Sequence, residues 1–167
     1  MCIRDRTRAH ALVESAYRGD SARKGWTHEA DMLGGVRTDR EALVEILSDP
    51  LQCLLLAFDD EALIGTVNIA DVGAGRAYLG LLSVDPARQA SGLGRRLLEV
   101  AEQEAKARFG AAALEMTVIR QRPELIAYYE RRGYRVTGEA RPFPYGDERF
   151  GLPQRPDLIF EVLEKEL

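Results

Sequence analysis

The sequence predicts an α/β fold. Two amphipathic helical segments open the chain, short apolar strands joined by tight turns follow, and strands then alternate with helices to the end. The 167 residues fit one domain, long enough to bury about two-thirds of the surface its unfolded chain exposes. A hydrophobic content of 46% and a charged content of 30% are those of a soluble globular protein. The net charge of −4 speaks against a nucleic-acid partner, which would require a basic face. No apolar stretch approaches the ~20 residues needed to span a bilayer, and no secretory signal opens the chain. A cytoplasmic setting without a membrane partner is therefore expected. Cys2 and Cys53 are the only cysteines, which excludes a disulfide framework and a multi-Cys zinc site.

Residues 1–6 show neither helical nor strand periodicity and are expected to form a tail outside the core. Ala9, Leu12, Val13, Ala16 and Tyr17 then recur at the spacing of one helix face, with Gly19 placed for a C-terminal cap. Residues 20–37 read as irregular or as a short helical turn. A second helix opens on Thr38-Asp39-Arg40-Glu41, which has the pattern of a capping box, and Asp49-Pro50 ends it. Leu51 to Phe58 and Leu63 to Ala70 form a hairpin across Asp59-Asp60-Glu61, and Ala77 to Val84 is a third strand after Gly73-Ala74-Gly75. Residues 92–109 form a helix with Leu97, Leu98, Ala101 and Ala105 inward and Glu102 paired with Lys106 outside. Ala112 to Ile119 reads as a strand, Pro123 to Arg132 as a helix, and Tyr134 to Glu139 as a strand. A Pro/Gly-rich loop (140–156) precedes a last strand, Leu158 to Leu163. There is no internal repeat or linker.

The most informative stretch is Leu79 to Leu98. An apolar run ends at Val84, Asp85-Pro86 stops it, and a Gly-interrupted turn feeds a helix. Gly92 and Gly94 leave backbone N–H groups bare at the helix N-terminus, where unpaired donors and the helix dipole favour an anion. Arg88, Arg95 and Arg96 add positive charge there. A dinucleotide-binding turn needs a third glycine where Leu97 stands, and a P-loop needs Gly-Lys-Ser/Thr where Gly94 is followed by Arg95-Arg96, so neither applies.

The element Gln89-Ala90-Ser91-Gly92-Leu93-Gly94 resembles the pyrophosphate-binding signature of the GNAT superfamily of acetyl-CoA-dependent N-acetyltransferases, Gln/Arg-x-x-Gly-x-Gly/Ala. The element order resembles that family's fold across residues 7–167, which the resemblance makes a single N-acetyltransferase domain. It implies three layers, a mixed and mostly antiparallel sheet flanked by helices. Family members normally open with a strand, which here is expected to be missing or degenerate. The resemblance implies acetyl-CoA as co-substrate, no metal, and a cofactor site of Leu82, Ser83, Val84, Gln89, Ala90, Ser91, Gly92, Leu93, Gly94 and Arg95. The strand around Leu82-Ser83-Val84 would offer its backbone to the pantetheine arm as an added strand does.

Tyr129-Glu130-Arg131-Arg132-Gly133-Tyr134 resembles the family's Tyr-Glu-x-x-Gly-Phe/Tyr element, and Tyr129 falls on the tyrosine that donates to the departing coenzyme A thiolate. Tyr128 beside it is expected only to pack. Arg122 stands where many members carry an Asn that contacts the cofactor arm, and its role is left open. Glu115 is a candidate general base, with Glu29 and Asp31 as alternatives or a water chain in their place. The segment joining the first two helices covers the acceptor side in the family, which makes Trp26, Thr27, Glu29 and Arg37 candidate acceptor-binding residues. His10 and His28 lack metal-ligand spacing, and Cys53 reads as a small buried hydrophobe. The expected function is transfer of acetyl from acetyl-CoA to a primary amine of a small molecule or peptide, in a protein that could be a homodimer. The alternative is a non-catalytic acyl-CoA-binding regulatory domain of the same fold.

Overall fold

A computed structural model describes residues 3–24, 26, 28–148 and 151–167; Cys2 and Thr27 therefore lie outside the described residues. Helix α1 (Ile3–Tyr17) takes in residues 3–6, because no Gly or Pro interrupts the chain before it. Its break falls at Arg18, which is extended (φ −126°, ψ 152°), so Gly19 opens the short helix α2 (Gly19–Ala22) instead of capping α1. Strand β1 (Leu33–Gly34) follows, then α3 (Arg40–Ser48). The cap of α3 is Asp39, whose carboxylate accepts from the Ala42 N–H at 2.7 Å. The expected capping box from Thr38 does not form. The Thr38 N–H is instead taken by Glu14 Oε1, 2.9 Å away on α1.

The remaining elements are β2 (Gln52–Asp59), β3 (Ala62–Gly73), β4 (Arg76–Val84), α4 (Leu93–Phe109), β5 (Ala113–Ile119), α5 (Pro123–Glu130), β6 (Arg135–Pro142), β7 (Leu152–Pro153) and β8 (Ile159–Glu166). Six strands make one sheet in the order β2-β3-β4-β5-β8-β6, antiparallel throughout except for the β4–β5 pair, which α4 connects. Among the described residues no strand precedes α1, so β2 pairs only with β3 and is an edge. A second, two-stranded sheet pairs β1 with β7 and ties the segment before α3 to the loop before β8. No described helix is long and apolar enough to cross a membrane.

Side chains alternate across the sheet, so its two faces bury separate cores. On one face Val67, Ile69, Ala77 and Leu79 meet Leu97, Leu98, Ala101 and Ala105 of α4, with Cys53 packed at the margin. On the other, Leu81, Leu54 and Leu56 meet Ala9 and Val13 of α1 and Leu43 of α3. Leu98 is 1% exposed, so Leu98→Ala is expected to lower unfolding stability by about 2–5 kcal/mol. An unchanged urea midpoint would contradict that packing. Glu102, expected to pair with Lys106, turns inward to Lys165 Nζ (2.6 Å) and accepts from the Tyr134 hydroxyl (3.1 Å). These partners lie beside it across the core, where a half-buried carboxylate gains more than on the outer face.

Two features of β4 shape the site. Leu81 has φ +50°, and between Thr66↔Ser83 and Asn68↔Gly80 the strand carries one residue more than β3. This bulge shifts the side-chain alternation, so Leu79, Leu82 and Val84 all face the α4 core while Leu81 faces the α1 core. Pairing of β4 with β5 ends at Tyr78↔Glu115. Beyond it β5 continues along β8 to Ile119, and β4 is left with one unpaired edge.

Candidate active site

The opening between β4 and β5 leads into a cleft of about 420 Å³ bounded by β4, the start of α4, and α5. At one end is the glycine turn. Gly92 caps α4 in the left-handed region (φ +84°) and Ala90 before it is also left-handed (φ +65°), a conformation costly for a residue with a Cβ. The Arg96 N–H bonds Gly92 O at 3.1 Å, and the N–H groups ahead of it have no carbonyl within the helix. A Cβ on Gly94 would come within 3.1 Å of the Tyr128 hydroxyl and 3.7 Å of Val84 Cγ2, so only glycine leaves this part of the cleft open. Arg88, Arg95, Arg131 and Arg132 also line it. Arg96, expected here, does not line the cleft. The unbonded N–H groups, the glycine gap and the guanidiniums fit a pyrophosphate.

Of the expected cofactor residues, Leu82, Ser83, Val84, Gln89, Ala90, Gly92, Gly94 and Arg95 line the cleft. Ser91 and Leu93 do not, and the Ser91 hydroxyl donates to Arg88 O at 2.7 Å, bracing the turn. The Ser83 hydroxyl donates to Leu81 O, which leaves its backbone as its contribution to the cleft. The Leu82 carbonyl faces the cleft and accepts from the Tyr17 hydroxyl at 2.8 Å.

Tyr129 stands at the other end, where the cleft meets a second cavity of about 110 Å³ between the parted strands; Tyr17, Leu82, Arg122, Leu125 and Tyr129 line both. Tyr129 is 6% exposed and packs edge-on against Tyr128 and Tyr134, with ring centroids at 5.3 and 5.8 Å. Its hydroxyl makes no hydrogen bond to another described residue. Burial pushes this phenol well above its ordinary value, so it stays protonated and available as a donor. Tyr128, expected only to pack, forms a wall of the cleft. Arg132 lies over its ring at 3.4 Å, and the Trp26 ring centroid is 5.2 Å away, tilted by 35°.

Trp26 is 47% exposed and therefore no core plug. Its backbone N–H donates to Gln89 Oε1 at 2.9 Å, so it lies by the glycine turn and lines the first cleft rather than the second cavity. Glu29 and Arg37 do line the second cavity. Glu29 is not free to meet a ligand, however. Its Oε2 accepts from Arg18 (2.8 Å) and its Oε1 from Arg122 (2.9 Å). Burial opposes the charged carboxylate, but the guanidiniums of Arg122, Arg37 and Arg18 outweigh it and hold the group below the usual carboxylate range. Arg122 is thus an ion-pair partner at the Tyr129 end of the cleft, with Glu124 also 3.7 Å from its Nε.

A folded-state pKa below the unfolded value stabilises the fold above the ordinary carboxylate range, and that stability is lost as pH falls through the folded value. Glu29→Gln is expected to cost about 3–5 kcal/mol near neutrality, because it strands buried guanidiniums. It should also flatten part of the loss on acidification in urea melts. An unchanged acid limb would show that Glu29 contributes nothing to it.

Glu115, the candidate base, lines neither cavity. It stands in the last β4–β5 pair, Tyr78↔Glu115, and its carboxylate is bound to Arg141 (3.1 Å) and Arg76 (3.6 Å). Asp31 pairs with Arg23 (3.0 Å) and lines neither cavity. His10 approaches Thr38 O at 3.2 Å, and His28 lies 3.9 Å from Asp31. Sequence reasoning missed Tyr17, Tyr128, Arg131 and Arg132. The two arginines end the Tyr129 motif and could have been read as a second phosphate-facing pair.

A family model described as the acetyltransferase (GNAT) family matches residues 12–134. A search of curated proteins finds no match. Among solved structures, the ribosomal-protein-S18-alanine N-acetyltransferase from Escherichia coli is similar over 99% of this chain and 90% of its own, with TM-score 0.69 and 18% identity. The acetyltransferase of GNAT family from Streptococcus pneumoniae is similar over 98% and 95%, with TM-score 0.68 and 20% identity. A GNAT family acetyltransferase from Elizabethkingia anophelis with acetyl-CoA bound is similar over 77% and 84%, with TM-score 0.60 and 20% identity.

Proposed function

Because this chain belongs to the acetyltransferase (GNAT) family, we propose that residues 7–167 act as a single N-acetyltransferase domain that moves acetyl from acetyl-CoA directly to a primary amine. One observation carries this reading. A single cleft joins an anion-binding helix start to a buried tyrosine whose hydroxyl has no partner among the described residues, beside a strand edge that has lost its neighbour. The pyrophosphate would meet the N–H groups ahead of Arg96, flanked by Arg88, Arg95 and Arg131. The pantetheine arm would lie along β4 and exchange hydrogen bonds with the Leu82 backbone, with Tyr17 yielding its bond to that carbonyl.

The thioester carbon would then lie at the junction of the two cavities. The amine arrives as its free base, forms the new C–N bond, and the C–S bond breaks. The sulfur leaves as a thiolate, and the Tyr129 hydroxyl donates to it. The nitrogen's surplus proton passes to solvent, since Glu29 is held by two guanidiniums and Glu115 lies elsewhere. Tyr17 stands at the same junction, with Arg37 over its ring at 5.0 Å. Tyr17→Phe is expected to change KM for acetyl-CoA by only a few-fold while lowering kcat about tenfold, if its hydroxyl orders the thioester end. A thiol-release assay with an amine panel tests the proposal. Release that requires both acetyl-CoA and an amine supports it, whereas binding of acetyl-CoA without turnover on any amine favours the regulatory alternative.

A further inference from the structure

The second cavity is lined by more guanidiniums than carboxylates. Arg37 and Arg122 line it, and Arg18 stands behind it, yet Glu29 is the only carboxylate among the lining residues. Both Glu29 oxygens are occupied, one by Arg18 and one by Arg122. Glu124 meets Arg122 from the exposed side, and the nearby Glu14 uses its Oε1 on the backbone N–H groups of Arg37 and Thr38. The Arg37 guanidinium rests over the Tyr17 ring and has no carboxylate within ion-pairing distance among the described residues. Arg37 is half-buried and acts on Glu29 only through space, so its guanidinium N–H groups can take an anion that enters beside it.

The rest of the wall is apolar, including Leu33, Met116, Val118, Ile119 and Phe160, and the space is about 110 Å³. We propose that the acceptor is a small amine that bears a carboxylate on an apolar body, an amino acid or a close relative, with its carboxylate held by Arg37. A guanidinium meets a carboxylate with two parallel hydrogen bonds, which fixes the amine's direction as well as its affinity. A polyamine would bring a second cation to an already cationic cavity. This proposal rests on the acetyltransferase reading of the same site.

Thiol release from acetyl-CoA is to be followed with the common amino acids, their amides, polyamines and an amine phosphate. An apolar amino acid should be the best acceptor, and its amide should lose about tenfold or more in kcat/KM. Arg37→Gln should bring acid and amide to within a few-fold of each other, with the calorimetric affinity for acetyl-CoA unchanged. Equal or better turnover of the amide, preference for a polyamine or the amine phosphate, or a ratio untouched by Arg37→Gln overturns the proposal and leaves the acetyltransferase reading standing. Acetyl-CoA binding with no amine in the panel acetylated also overturns the proposal and returns the choice of function to the regulatory alternative. Failure of the folded protein to bind acetyl-CoA overturns both.

Discussion

Tyr129→Phe is expected to fold as the parent does and to lose about 10²-fold or more in kcat, with KM for acetyl-CoA changing much less. The substitution removes one hydroxyl and keeps the ring that packs between Tyr128 and Tyr134. That hydroxyl has no hydrogen bond to lose among the described residues, so the usual penalty for stranding a buried partner does not arise. The effect should therefore fall on the transition state, where the sulfur gathers negative charge in a site that water reaches poorly. The raised pKa of the phenol makes it a hydrogen-bond donor throughout the neutral range, so the variant's loss should be nearly independent of pH there. Wild-type turnover by Tyr129→Phe would make Tyr129 a packing residue.

Gly94→Val should weaken acetyl-CoA binding by about 2–4 kcal/mol, the scale of losing several charge-assisted hydrogen bonds. Gly94 lies in the first turn of α4, and a Cβ there already comes within 3.1 Å of the Tyr128 hydroxyl. A branched side chain must then extend into the cleft over the N–H groups that would receive the pyrophosphate. Gly92 is a less clean target. Its φ of +84° strains any L-residue, while a Cβ there would meet nothing within 4 Å. Calorimetry is the readout, with a thermal melt to show that the variant folds. An affinity equal to the parent's would remove the pyrophosphate from this helix start.

The parts of the fold and site that were legible in the sequence are those written in neighbouring residues. The hairpin from Leu51 to Ala70, the inward stripe of α4 and the Gly92–Gly94 turn each follow from local period or punctuation, and each appears in the structure. The positions that escaped are set by contacts between distant segments. Glu29 and Arg122 are separated by 93 positions, and nothing near either one announces their ion pair. The bulge at Leu81 follows Gly80 in the run Leu79-Gly80-Leu81-Leu82, where that glycine was the one local mark of an irregular strand. Glu115 is a candidate from its place on the strand after the glycine-turn helix, and nothing near it in the sequence announces that Arg76 and Arg141 converge on it from β4 and β6. The segment alone gives no sign that the Gln89 side chain, 63 positions on, accepts the Trp26 backbone N–H and holds it by the glycine turn.

Titration of the folded protein with acetyl-CoA in a calorimeter tests the central claim most directly, since every step proposed for the cleft depends on that molecule entering it. The account predicts saturable, one-to-one binding, with a dissociation constant on the order of micromolar to sub-millimolar, strengthened at low salt because Arg88, Arg95 and Arg131 line the cleft. Absence of saturable heat from a protein shown to be folded would contradict it.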